Sequence, residues 1–177
     1  MAQGASSRTA PTPRRKTVVW VFNGAMDDDK VSQASLEIEA GAHEIFELIA
    51  DPARQPEWDG NDNLATAAPG QRVRAVGDMF VMTLTDSTPA PTKERENHVV
   101  EFEEGRLIAW KPSPVDQPQP GHLWRWELEP VTDGRTRVTH TYDWTGLTDP
   151  SRFGRARRTT AERLLASLTR LKELAES

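Results

Sequence analysis

Two histidines and a tyrosine, His98, His140 and Tyr142, are the side chains of this sequence best suited to chemistry. In apolar surroundings a neutral imidazole donates from one ring nitrogen and accepts at the other, so it can orient a carbonyl or a phenol. Tyr142 is the only tyrosine, and its hydroxyl can donate to a ligand carbonyl or bond a backbone group. With His140 or His98 as base and Tyr142 as acid, the set would suffice for proton transfer beside a carbonyl. Each histidine also has a plainer reading, as a core residue satisfied by a neighbour or as one facing water, because burying an unpaired polar group is costly. Asp143 follows Tyr142 but falls on the opposite face of a strand, so it is no partner for it.

Other chemistries lack their residues. The sequence has no His-Glu-x-x-His, no glycine-rich phosphate loop and no nucleophile elbow. His43, His98, His122 and His140 lack the close pair of a zinc site, and the acidic run Asp27-Asp28-Asp29 lacks the glycine spacing of a calcium loop. No metal and no cofactor are expected. With no cysteine, disulfides and thiol catalysis are excluded, which fits a reducing cytoplasm. The net charge of -5 argues against a nucleic-acid partner, and no apolar run approaches the roughly 20 residues that span a bilayer, so no stable membrane insertion is expected. Oligomeric state is not encoded in any feature of the sequence.

The elements that must hold these side chains follow from periodicity. Residues 1–30 are expected to be a disordered or loosely ordered extension and residues 31–177 a domain. Met1 to Lys16 is rich in Ser, Thr, Pro, Ala and Arg with no acidic residue, a composition that does not order itself. Arg14, Arg15 and Lys16 before Val18–Phe22 resemble an export signal, but the apolar stretch stops at Asn23-Gly24, short of a secretory core. A cytoplasmic location is therefore expected. Val18 to Phe22 can still dock as an extra strand, and Met26 is an alternative start.

Val31–Glu39 alternates with Ala34, Leu36 and Ile38 on one face, a strand. Ala42, Ile45, Phe46 and Ile49 have helical spacing, and Asp51-Pro52 ends that helix and caps a second one running to about Trp58. Strands are expected at 63–68 and 72–75 around the Pro69-Gly70 turn, at 78–85 (Phe80, Met82 and Leu84 together) and at 92–102 (His98, Val100 and Phe102 together). Arg106–Trp110 follows the Glu104-Gly105 turn, and Pro112–Gly121, with four prolines, reads as a loop. Trp124, Trp126 and Leu128 share a face of the next strand; after an Asp133-Gly134 hairpin, so do Val138, His140, Tyr142 and Trp144. One long helix is expected from Asp149-Pro150 to Ala175, with Phe153, Thr160, Leu164, Leu168 and Leu171 as its stripe. The fold class is α+β: a curved antiparallel sheet of about six or seven strands around a long C-terminal helix, with two short helices after the first strand.

This order resembles the helix-grip fold. The residues Ala42-His43-Glu44-Ile45-Phe46-Glu47-Leu48-Ile49-Ala50-Asp51-Pro52 with Trp58, the run Leu123–Pro130 and the run Arg137–Trp144 resemble the SRPBCC superfamily, which includes START domains and polyketide cyclase/dehydrases. The likeness covers Val31 to Ser177 and is strongest to bacterial polyketide cyclase-like members. It implies a cavity between sheet and terminal helix. With Trp124 and Trp126 on the concave face, the strand period assigns its lining to Phe80, Met82, Leu84, His98, Val100, His140 and Tyr142, with Phe153, Thr160, Leu164 and Leu168 from the helix. Trp124 and Trp126 can equally fill a closed core, and Trp58 and Trp110 read as packing or rim residues. The arginines Arg152, Arg155, Arg157, Arg158 and Arg163 read as a solvated helix face, or as a site for an acidic partner or a phosphate at the cavity mouth. The leading function is binding of a small hydrophobic molecule, a lipid, polyketide or aromatic compound. The alternatives are a polyketide aromatase/cyclase or dehydratase, and an interaction module such as a chaperone activator or regulator.

Overall fold

A computed structural model describes residues 19–23, 30–87, 93–132 and 134–177, leaving out the side chains of 20–23. Most of the N-terminal segment, and Thr92 and Asp133 of the expected strand and hairpin, lie outside the described residues. Eight strands form one sheet in the order β1-β2-β8-β7-β6-β5-β4-β3, with every neighbouring pair antiparallel. They are β1 (Val19–Asn23), β2 (Val31–Ile38), β3 (Leu64–Ala67), β4 (Met79–Leu84), β5 (Glu94–Glu103), β6 (Leu107–Pro114), β7 (Leu123–Thr132) and β8 (Arg135–Asp143). The helices are α1 (Ala42–Ala50), α2 (Gln55–Trp58), α3 (Phe153–Ala156) and α4 (Ala161–Ala175), with 3-10 turns at Pro52–Arg54 and Pro150–Arg152. None of the described helices is long and apolar enough to cross a membrane.

Alternation decides which face the central strands bury. Ala34, Leu36 and Ile38 of β2, Trp126 and Leu128 of β7, and Val138, His140 and Tyr142 of β8 are all buried on the concave side. Against them α4 lays Leu164, Leu168 and Leu171, each with no exposed surface, the i, i+4, i+7 stripe of an amphipathic helix. Asp51 and Asp149 act as the expected caps, each accepting from the backbone N–H two residues on, at Ala53 and Ser151.

Four segments depart from expectation, each for an identifiable reason. In β5 the buried residues are Asn97 and Val99, while His98 and Val100 lie on the other face. Val99 opposes Trp110 and Glu101 opposes Ala109, so Val100 is the extra residue of a bulge. Phe102, beyond the bulge, packs edge-on against Phe46 at 5.8 Å. One inserted residue inverts the strand's phase, so counting back from Phe102 by twos reaches the wrong face. Next, Pro112 and Pro114 belong to β6 rather than to a loop. β7 pairs with β6 only from Leu107 to Trp110; beyond that point β6 pairs with β5 alone, and a proline on an edge costs no ladder bond.

The segment 72–75 is not a strand. In its place the Gln71 amide accepts from Val81 N at 2.8 Å and donates to Val81 O at 3.1 Å, side-chain bonds standing in for a neighbouring backbone. Finally, the long helix is broken. Arg157-Arg158-Thr159-Thr160 contains no apolar residue and two β-branched threonines, poor helix formers. The chain leaves the helix there, Ser32 Oγ donates to Thr159 O at 2.8 Å, and α4 restarts after an extended Thr160.

One close approach locks α4 to the rest. A Cβ on Gly60 would lie 2.4 Å from Ser167 N and 2.7 Å from Ala166 C, and Gly60 N donates to Ser167 Oγ at 2.9 Å. Gly60→Ala is expected to lower stability by about 1–3 kcal/mol through overpacking against rigid backbone. Gly154→Ala, exposed within α3 with nothing within 4 Å of the new methyl, is expected to be near neutral or slightly stabilising. Thermal melts of the two variants check this; equal melting temperatures would refute the close-packing argument.

Candidate ligand-binding cavity

The concave face is not filled from end to end. A cavity of about 170 Å³ lies between strands β4 to β8, α2 and the segment after β8. Its sheet wall is Met82, Leu84, Asn97, Trp110, Trp124, Trp126, His140 and Tyr142. The register sets Trp110 opposite Trp124, Trp124 opposite Tyr142 and Trp126 opposite His140, so aromatic rings from three adjacent strands meet. The His140 ring stacks on Trp126 with centroids 3.6 Å apart and planes 14° apart, and Trp124 lies 4.4 Å from Tyr142. Trp58 of α2 meets Trp126 edge-on at 5.0 Å.

Most polar groups in the lining already have structural work. Trp58 Nε1 donates to Leu48 O at 2.9 Å and Gln55 Nε2 to Ile49 O at 3.3 Å. Asn97 Nδ2 bonds Phe80 O and Arg95 O. Asp59 is the lone carboxylate in the lining. Its Oδ1 accepts from Asn61 N, and its Oδ2 from Asn63 N and Leu64 N. It organises the loop into β3 and is not placed to act as a base.

Two atoms are different. Trp126 Nε1 and His140 Nδ1 are buried and have no hydrogen-bond partner among the described residues. Burial pushes the His140 imidazole down to about 3, so it is neutral at pH 7. Burial likewise raises the Tyr142 phenol to about 12, against a lowering pull from Arg155. At the mouth, His122 is pushed down to about 4, first by desolvation and then by the charges of Arg152, Arg155 and Arg95. The interior is thus an aromatic lumen with neutral donors and acceptors, and its rim is cationic.

Of the residues expected in the lining, Met82, Leu84, Trp124, Trp126, His140 and Tyr142 are brought together. The other seven are elsewhere. Phe80 is buried edge-on against Trp110 at 5.5 Å, in the core. His98 shares a hydrogen bond with Ser113 Oγ at 3.1 Å on the opposite sheet face, and Val100 is the bulge residue. Leu164 and Leu168 are core residues under the sheet. Phe153 packs on Trp144 at 5.5 Å, and Thr160 is exposed ahead of α4. The helix break is the common cause for Phe153 and Thr160: α3 and α4 do not share one stripe. Trp58 and Trp110, read as packing or rim residues, are both buried and line the cavity. His122 was missed, although it lies two residues before Trp124 and the strand period reaches it. Arg95 and Asn97 were missed because the bulge inverted β5.

His43, Glu47 and Glu104 gather on the surface, but the Arg72 guanidinium already bonds both carboxylates and holds Glu47 below the usual carboxylate range.

Residues 30–176 match the family described as polyketide cyclase / dehydrase and lipid transport. An uncharacterised protein of Mycobacterium tuberculosis is 33% identical over 111 residues, 62% of this chain and 46% of that protein. The chain spans about half the length of the curated relatives it matches. Among solved structures, a Rhodobacter sphaeroides protein aligns with a TM-score of 0.61 at 14% identity, covering 89% of this chain and 97% of its own. A START superfamily protein from Mycobacterium smegmatis aligns at 0.60 and 14% identity, covering 82% and 97%.

The depressed His140 pKa makes a stability prediction. An unfolded histidine binds a proton below about 6.5 and the folded one does not until about 3, so the unfolded state binds more protons in between and stability falls as pH drops. From pH 7 to pH 5 this single group is expected to cost roughly 2 kcal/mol. Urea unfolding at the two pH values should show that loss in the native protein and a smaller one in His140→Phe. The same slope in both proteins would show that His140 is not the buried neutral group.

Proposed function

Because the chain belongs to the polyketide cyclase/dehydrase and lipid transport family, we propose that it binds a small, flat hydrophobic compound in the aromatic cavity. The main support is the stacked Trp126–His140 pair, whose Nε1 and Nδ1 are buried without partners among the described residues. An unmade buried hydrogen bond costs about 1–3 kcal/mol, and a ligand hydroxyl or carbonyl that reaches either ring's nitrogen after a small side-chain adjustment lowers that cost. Burial of the ligand's apolar surface supplies the remaining affinity.

Size narrows the class. The cavity's 170 Å³ lies below the roughly 300–1,000 Å³ of drug-sized sites. It is close to the roughly 150 Å³ of an engineered apolar cavity that takes up benzene. A compound of one or two rings fits; a diacyl lipid does not. Binding is favoured over conversion because the lumen lacks a base matched to neutral pH. An imidazole whose conjugate acid ionises at about 3 draws a proton from carbon poorly, and Asp59 is committed to backbone N–H groups.

Six tryptophans, four of them in the lining, make intrinsic fluorescence the direct probe. Titration with 2-naphthol is expected to quench it saturably and at lower concentration than naphthalene, by roughly tenfold for one hydrogen bond. In His140→Phe the advantage of the naphthol should shrink. Native mass spectrometry of the freshly purified protein is expected to show a discrete small apolar adduct. No saturable response to either ring compound, with no adduct, would reject the cavity as a binding site.

A further inference from the structure

The cavity mouth has a chemistry that its interior lacks. Arg95 of β5 and Arg152 and Arg155 of the segment after β8 all line it. Arg95 is distant in the chain from Arg152 and Arg155, yet all three line the same cavity as His122, and their charges act on its ring. Arg152 reaches Asp149 at 3.4 Å, outside the lining. The protein as a whole carries -5, so three guanidinium groups converging on one small opening run against its overall charge.

Resting on the ring-binding reading above, we infer that the ligand is an amphipathic anion: a flat one- or two-ring body in the lumen, with a carboxylate or phosphate held by Arg95, Arg152 and Arg155. Arg95 is held below the usual arginine range by burial and then by the charges of Arg155 and Arg152. Arg155 is lowered by burial first, with Arg152 and Arg158 adding to it against the opposing pull of Tyr142. An oxyanion between them relieves that repulsion, and guanidinium forks match the geometry of carboxylate and phosphate oxygens. Deeper in the lining, the Trp126 indole and the neutral His140 imidazole offer hydrogen-bonding groups to a second polar group of the ligand. The favoured ligand therefore has an anionic head, a ring body and a hydroxyl or carbonyl at its deep end.

The test uses the full chain and three probes, 6-hydroxy-2-naphthoate, its uncharged carboxamide and 2-naphthyl phosphate, followed by tryptophan fluorescence. The naphthoate, the phosphate or both are expected to bind at least about tenfold tighter than the amide, with an advantage that narrows as salt is raised. The tighter of the two anions identifies the head group. In the double variant Arg152→Gln, Arg155→Gln the anion-to-amide ratio should fall toward one. In Arg163→Gln, which removes an exposed α4 charge outside the lining, the ratio should persist. Should the double variant fail to fold, the salt dependence in the unaltered protein decides. Amide and anions binding equally at all salt concentrations would overturn the anion inference and leave the ring site standing. No binding by any of the three would overturn both.

Discussion

The fold depends on a single burial: the Leu164, Leu168, Leu171 stripe of α4 against the concave face around β2 and β8. Each leucine is inaccessible, and truncating such a residue typically costs about 2–5 kcal/mol, a large part of a domain's net stability. The constraint is also one of length. Fifteen helical residues reach about 22 Å, and an eight-stranded sheet offers more concave surface than one such helix covers. α4 takes the β2 and β8 side. The β4–β7 side is left to α2, the Asp59 loop and α3, shorter elements that roof it without filling it. The cavity is what remains when a long curled sheet meets a helix that seals only one end.

Wherever one rule governs an element, the sequence discloses it. Strict alternation makes β2, β7 and β8 legible and puts Trp124, Trp126, His140 and Tyr142 on one face. Asp51-Pro52 and Asp149-Pro150 marked helix starts because cap and first-turn chemistry are local. The misreadings arise where a nonlocal partner overrides the local pattern. Val100 is a bulge only because β6 opposes it with one residue fewer. Pro112 and Pro114 are tolerated only because β7 stops pairing at Trp110. Gln71 replaces a strand with two side-chain bonds to Val81, which no period reveals. The helix break falls at four residues without an apolar side chain, read as part of a continuous helix, and the bond from Ser32 to the Thr159 carbonyl that accompanies it joins distant parts of the chain.

The site inherits these features unevenly. Its aromatic wall was legible because it lies on unbroken strands. Its cationic mouth was legible only in part, because Arg95 sits on the bulged strand while Arg152 and Arg155 flank a break read as continuous helix. The arginines form a cluster in the sequence, but a continuous helix implies a solvated face for them.

That break explains how a charged mouth can sit over an apolar lumen. Phe153 of α3 lies 5.5 Å from Trp144. Lys30 and Arg157 stand over both rings, at 5.6–5.9 Å from their centroids, cation–π contacts that hold the start of α3 where the chain enters β2 and leaves β8. With Phe153 fixed on one side and Ala156 buried against the cavity on the other, the intervening turn has little rotational freedom. Arg152 and Arg155, three residues apart on a turn of this pitch, fall on neighbouring sides of it. Apolar and cation–π packing of α3 therefore helps set where these charges fall. The same packing that seats α3 thus carries two guanidinium groups to the edge of an aromatic cavity.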